Sequence, residues 1–404
     1  MIAVYTLTSE LHDPQTVERA TSVFLDTLQL DYDYRGGDFA GYGSHPLSVI
    51  FVRTGGTEGI FRRLLPQLLL QSDAPFTLLT SGQSNSLAAS MEILSFLRQQ
   101  GLRGEIVHGT VDYMRRRLEL LSSVAEARKK LNGCRLGIVG EPSDWLISST
   151  FDAEMVKSRL GIELVKVPME EVQQLVDETP IPSTFDDSLS SLLSTSHSPL
   201  SSLHSSLPGA ERIYLALRAM VARYQLQGFT IRCFDLLTSV HNTGCLALAK
   251  LNAEGIVAGC EGDVPAMLSM VIGHALTGVS GFQCNPSRID VETGEILLAH
   301  CTIPLNMVER YELDTHFESG IGVGIRGYMR EGDVTLFKVS GDLSRSFIAE
   351  GCLVRNQAEP DLCRTQQVVR LQDAAQLNYF LSDPIGNHHV VFPGHLADAL
   401  RQLM

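Results

Sequence analysis

Apolar positions along the first third of the chain follow two alternating patterns. Short β-rich runs such as MIAVYTL, LSVIFVRTGGTEG and FTLLTSG are separated by longer amphipathic stretches, among them VERATSVFLDTLQL, IFRRLLPQLLLQ and SLAASMEILSFLRQQG. A repeating order of strand, crossover helix and strand predicts a parallel sheet with helices on both faces. The turns Thr54-Gly55-Gly56-Thr57-Glu58-Gly59 and Ser81-Gly82-Gln83-Ser84-Asn85 fall at predicted strand ends. Carboxyl-end loops are where open α/β sheets bind ligands, although glycine there also serves plain turn geometry.

A second series begins after Leu131-Asn132-Gly133, with CRLGIVGEPSDWLISS, FDAEMVKSRLG, IELVKVP and MEEVQQLVDE. The serine-rich stretch from Ser183 to Pro208 has little charge and would gain little by burial, so it is expected to be a mobile loop or lid. Its leucines leave room for a short helix. Helix and strand patterns then resume through ERIYLALRAMVARYQLQ, FTIRCFDLL, CLALAKLNAEG, IVAGCEGD and VPAMLSMVIGHALTG. Beyond Gly278 strands follow one another with short turns, which predicts an antiparallel sheet or barrel. The expected fold is α/β: two Rossmann-like parallel-sheet domains, residues 1–132 and 133–278, and a β-rich C-terminal domain, 279–404.

A chain of 404 residues, 44% hydrophobic, can bury more than one core. Its eight cysteines are scattered without a CxxC pair, as expected for reduced thiols rather than a disulfide framework or a structural zinc knot. A formal charge of −14 argues against a nucleic-acid backbone as partner, which would need a basic face. The clusters Arg115-Arg116-Arg117 and Arg128-Lys129-Lys130 lie in helical stretches and are expected to be solvated faces. With no signal-peptide pattern and no apolar run of membrane-spanning length, a soluble cytoplasmic protein is expected.

Candidate chemistry concentrates at strand ends. The run Ile256-Val257-Ala258-Gly259-Cys260 delivers Glu261 and Asp263 into a turn before a helix with Pro265 in its first turn. Both carboxylates could address one cavity, or Asp263 could simply cap the helix. Asp235 ends the preceding predicted strand, 28 residues before Asp263. Adjacent parallel strands would bring the two acids near each other, suiting a divalent cation or a proton shuttle, while Asp235 alone could be a cap or a surface acid. His300 and His316 lie in the strand-rich part, and His388-His389 follow a small polar turn. Neutral imidazole ligates Mn, Zn and Fe, and neighbours on a strand face opposite ways, so one of the pair is expected to reach a metal. His274 and His395 are expected to be structural.

The segments NSLAASMEILSFLRQQG, RLGIVGEPSDWLISS, RCFDLLTSVHNTGCLALAKLNAEGIVAGCEGD and GNHHVVFPGH resemble the L-fucose isomerase-like branch of the fucose/arabinose isomerase superfamily. The resemblance implies two N-terminal α/β domains, a β-rich C-terminal domain, homo-oligomers with sites near subunit boundaries, and Mn²⁺-dependent (or other divalent-metal) aldose-ketose isomerisation of a monosaccharide. It implies an acidic metal ligand at Asp263, or at Glu261 instead. It implies a second acid at Asp235 that binds metal and moves the proton, a late histidine ligand at His389 or His388, and an additional one at His300.

These residues suit a mechanism in which a metal polarises the sugar carbonyl and a carboxylate carries a proton between C1 and C2 through a cis-enediol. Asp263 and His389 are assigned to the metal, Asp235 to metal and proton transfer, and Glu261 is the alternate base. A non-catalytic sugar-binding protein of the same fold and a metal-dependent epimerase or lyase are the competing readings.

Overall fold

The computed structural model describes residues 2–181 and 200–404. Its contacts divide the chain into two units, one ending at Lys129 and the other spanning Lys130–Gln402.

The first unit is an open parallel sheet. It is built from β1 (Ile2–Leu7), α1 (Pro14–Leu28), β2 (Tyr32–Gly36), β3 (Leu47–Val52), α2 (Glu58–Gln71), β4 (Phe76–Leu79), α3 (Ser86–Gln99), β5 (Gly104–Val107) and the start of α4 (Val111–Leu131). The strand order is β2-β1-β3-β4-β5, a doubly wound arrangement. Ala3, Tyr5 and Leu7 join one core, whereas Ile2 and Val4 join another. The strand's twofold alternation therefore feeds a hydrophobic layer on each face. The sequence pattern missed β2, a half-exposed edge strand of sequence YDYRG without apolar alternation. The two glycine-containing turns are bonded to each other, with the Gly55 N–H donating to Ser84 O at 2.7 Å.

The second unit opens with another parallel sheet. Its elements are β6 (Arg135–Val139), α5 (Ala153–Leu160), β7 (Glu163–Val167), α6 (Met169–Glu178), α7 (Leu200–Tyr224), β8 (Gly228–Ile231), α8 (Asp235–Ser239), α9 (Cys245–Ala253), β9 (Val257–Gly259) and α10 (Val264–Thr277). The order is β7-β6-β8-β9, all parallel. Of the serine-rich stretch, residues 183–199 lie outside the described residues, and from Leu200 the chain is helix.

Six antiparallel strands then close into a barrel: β10 (Phe282–Asp290), β11 (Glu295–His300), β14 (Gly332–Val339), β15 (Ser346–Gln357), β16 (Thr365–Leu371) and β17 (His389–Pro393). A separate hairpin, β12 (Arg310–Asp314) and β13 (Gly324–Tyr328), and the short helix α11 (Leu377–Ser382) accompany it. Phe282, Ile296, Leu298, Leu336, Val369 and Val391 fill one core, which Leu207 of α7 and Leu246 of α9 also enter. Helices of the parallel sheet thus share a core with the barrel. Helix α10 packs closely on β17: a Cβ placed on Gly273 would lie 2.0 Å from the Phe392 ring. No helix among the described residues is long and apolar enough to cross a membrane.

Candidate metal centre

The site is assembled where β9 ends and the barrel strands β11 and β17 present their termini. After Gly259 the chain turns through Cys260-Glu261-Gly262-Asp263, with Glu261 at φ 64° and Gly262 at φ 70°. Left-handed backbone at a non-glycine residue is uncommon and costs energy. Here it is held by the Ser143 N–H, which donates to Glu261 O at 2.9 Å, and by the Gly262 N–H, which donates to Ile231 O at 2.9 Å. Glycine is required at 262, where a Cβ would lie 2.8 Å from Glu141 O. The turn ends in Asp263, whose Oδ1 accepts from the Ala266 N–H at 2.8 Å and caps α10.

One atom from each of Glu261, His300 and His388 lies within 4.8 Å of the others, and all three residues are buried. Glu261 Oε1 is 3.6 Å from His300 Nε2 and 3.4 Å from His388 Nε2. The other oxygen, Oε2, accepts from the Trp145 indole N–H at 2.6 Å. Trp145 is half exposed and packs edge-on against Phe234. On the far side of His388, Nδ1 is 2.9 Å from Asp263 Oδ2. A carboxylate accepts only, so that nitrogen carries the proton, and a metal would take the Nε2 lone pair in place of the ring's second proton. Among the described residues this buried Nε2 has no hydrogen-bond partner.

Electrostatics follow from this packing. Burial opposes ionisation of Glu261, but His388 and His300 outweigh it and hold the carboxyl far below the usual carboxylate range. Burial works the same way against Asp263, and Lys338 with His388 brings it to about 2. The buried Lys338 Nζ is 3.6 Å from Asp263 Oδ2; burial pulls its pKa down and Asp263 opposes that. For His388 the two carboxylates overcome burial and raise it to about 9.

The other expected site residues lie elsewhere. His389 faces away from His388, as strand alternation requires, into a cluster of Phe347, Tyr379 and Phe380. Its Nδ1–H donates to Asn387 O and its Nε2 accepts from Tyr379 Oη, both at 3.0 Å. Burial pulls its pKa down to about 3. Asp235 starts α8 and pairs with Arg232 at 3.1 Å, its side chain 38% exposed. The structure therefore brings neither His389 nor Asp235 into the group of three. Asp263 is in contact with it, as both helix cap and partner of His388. His274 lies in α10, and the exposed His395 bridges Asp333 and Glu350.

A cleft partly open to solvent adjoins the group and is lined by Glu261, His300, Phe234, Asn285, His316 and Glu318, among others. Trp145 and Lys338 were not singled out in the sequence. A lone tryptophan in a strand-end loop and a lysine within the apolar strand run TLFKV were the available signals.

Two imidazoles and a carboxylate with one donor atom each converging within 4.8 Å fit a divalent transition metal such as Mn, Zn or Fe. This arrangement defines a class: an α/β protein with a barrel whose strand ends carry a histidine-carboxylate centre. No family model matches the chain. It is similar to proteins named sulfoquinovose isomerase. Those of Priestia aryabhattai and Priestia megaterium are each 22% identical over 267 residues, 63% of this chain and 59% of the relative. The one from a Clostridium species is 35% identical over 91 residues, 22% of this chain and 20% of that protein. The match thus spans less than two thirds of the length of the Priestia relatives.

Proposed function

We propose that this chain is a sugar aldose-ketose isomerase that uses a divalent metal, Mn²⁺ or a similar ion. The observation that carries the reading is the buried Glu261, His300 and His388 group, whose ring nitrogens and carboxylate oxygen converge within 4.8 Å. Similarity to sulfoquinovose isomerases supports it, as do the carboxylates in the adjoining cleft.

Glu261, His300 and His388 would hold the ion. When bound, it supplies positive charge against the developing oxyanion of an enediol. Asp263 fixes the His388 tautomer by accepting from Nδ1–H, leaving Nε2 as the donor atom. Trp145 holds Glu261 Oε2 by its N–H. Of the two carboxylates lining the cleft, Glu261 is engaged by the imidazoles and Trp145, so Glu318 is assigned to carry the proton between C1 and C2. Asp235 is engaged by Arg232.

The test is metal analysis of the purified protein, followed by incubation with Mn²⁺ and a panel of aldoses, sulfoquinovose included, in D₂O with NMR detection. Ketose formation with deuterium at C1 or C2 supports the reading and names the sugar. A protein that neither binds the ion nor exchanges any aldose would overturn it.

A further inference from the structure

The cleft wall carries thiols for which the proposed isomerisation has no use. Five of the eight cysteines line it: Cys233, Cys245, Cys260, Cys301 and Cys363. Two of them touch, with Cys233 Sγ and Cys260 Sγ 2.9 Å apart. Both residues are buried against bulk solvent, yet both face the cleft.

Their approach is built into the fold. Strands β8 and β9 pair in parallel, with Thr230 opposite Gly259, so the residues that follow leave the sheet side by side. The Cys233 N–H donates to Ile231 O at 2.8 Å and the Cys260 N–H to Gln283 Oε1 at 2.9 Å. Both backbones are therefore tied down, and the sulfurs need to close by under an ångström to reach the S–S length of about 2.05 Å.

We infer that Cys233 and Cys260 form a modification site, a dithiol that a hydroperoxide such as hydrogen peroxide converts to a disulfide in the cleft wall. One sulfur attacks a peroxide oxygen, the O–O bond breaks, and a sulfenic acid and one water form. The second sulfur then attacks the sulfenic sulfur, the S–O bond breaks, and a second water leaves as the S–S bond forms. Two electrons pass from the thiols to the peroxide, and both thiol protons end in water. The isomerisation supplies no oxidant, so the peroxide comes from outside.

Cys301 and Cys363, which also line the cleft, serve as the internal comparison. The experiment treats the folded full chain with hydrogen peroxide, blocks remaining thiols with N-ethylmaleimide under denaturing conditions, and maps the unreduced digest by mass spectrometry. The expected result is a linked pair of peptides containing Cys233 and Cys260, lighter by two hydrogens and split by a dithiol reductant. Cys233→Ser should abolish that pair and leave Cys260 unlinked. Recovery of Cys233 and Cys260 both as maleimide adducts, or linkage of either to another cysteine, overturns the inference. Mapping of the unsubstituted chain decides the matter without the variant and without reference to isomerase activity.

Discussion

Asp263 divides its carboxylate between two tasks: Oδ1 caps α10 at Ala266, while Oδ2 receives the Nδ1–H of His388 at 2.9 Å. The start of a helix and the orientation of an imidazole are therefore set by one residue. Asparagine caps helices about as well as aspartate, so Asp263→Asn separates the two tasks. The helix should survive, with unchanged far-UV circular dichroism. Affinity for Mn²⁺ should fall by roughly 10- to 100-fold, the usual cost of losing a partner behind a ligating histidine. Unchanged affinity by calorimetric titration would show that Asp263 is a cap and nothing more.

The same substitution exposes a second dependence. Lys338 is buried with Asp263 as its facing carboxylate, and removing one member of a buried pair leaves an uncompensated charge that costs about 3–5 kcal/mol. Adding Lys338→Met to Asp263→Asn should return much of the lost stability, because the apolar side chain needs no counter-charge. Urea unfolding of the two single variants and the double variant closes the cycle. A double variant as unstable as the sum of the singles would show that the pair is not coupled.

Trp145 is the chain's single tryptophan, and its N–H is bonded to Glu261. Intrinsic fluorescence therefore has one source, placed beside the proposed ligands. Titrating the metal-free protein with Mn²⁺ should quench that emission to a saturable plateau, and Glu261→Gln should remove the saturable part. Quenching that stays linear in Mn²⁺ for the unsubstituted protein would mean collision in solution instead of binding at this site.

Much of this architecture is legible in the sequence, and the exceptions share a cause. Twofold and helical periodicities mark the buried strands and their crossover helices because each buries a regular face. The edge strand β2 buries little and left no such mark. Glu261 and His388 could be proposed because unusual residues stand in turns beside apolar runs. Their partners could not be. Whether Asp235 faces a cavity or Arg232, and which of two adjacent histidines meets Glu261, is decided by which barrel strand closes against which loop. Strand alternation implies that His388 and His389 diverge, but not which way each points.

Opposing titrations should give the metal-free protein a stability maximum near pH 6.5. His389 is depressed to about 3 by burial, so below an ordinary histidine value near 6.5 the unfolded chain takes up a proton that the native state refuses. Stability then falls as pH drops, by about 1.4 kcal/mol per unit from this group. His388 acts in the other sense. Raised to about 9, its contribution is complete below 6.5 and is lost as pH climbs through 9. Asp263, lowered to about 2, contributes above an ordinary carboxylate value near 4 and loses that contribution only in stronger acid. His389→Gln cannot titrate and should flatten the limb between pH 4 and 6.5. An unchanged acid limb in melting temperatures across that range would remove His389 as its cause.

Close approach of α10 to the barrel rests on a missing side chain. A methyl group at Gly273 would meet the ring of Phe392 at 2.0 Å, too near for a small adjustment. Alanine favours a helix interior over glycine by about 1 kcal/mol, so propensity alone would make Gly273→Ala stabilising. Overpacking a filled core costs typically about 1–3 kcal/mol, and a clash this deep against an aromatic ring should exceed the helix gain. The net expectation is a lower denaturation midpoint. Phe392→Leu in the same chain should make room for the methyl group and recover part of the loss. Since α10 begins at Asp263, displacement of the helix should also weaken Mn²⁺ binding in Gly273→Ala. A midpoint at or above that of the unsubstituted protein would show that the helix and strand can separate without cost, and that the position of Asp263 does not depend on how tightly they pack.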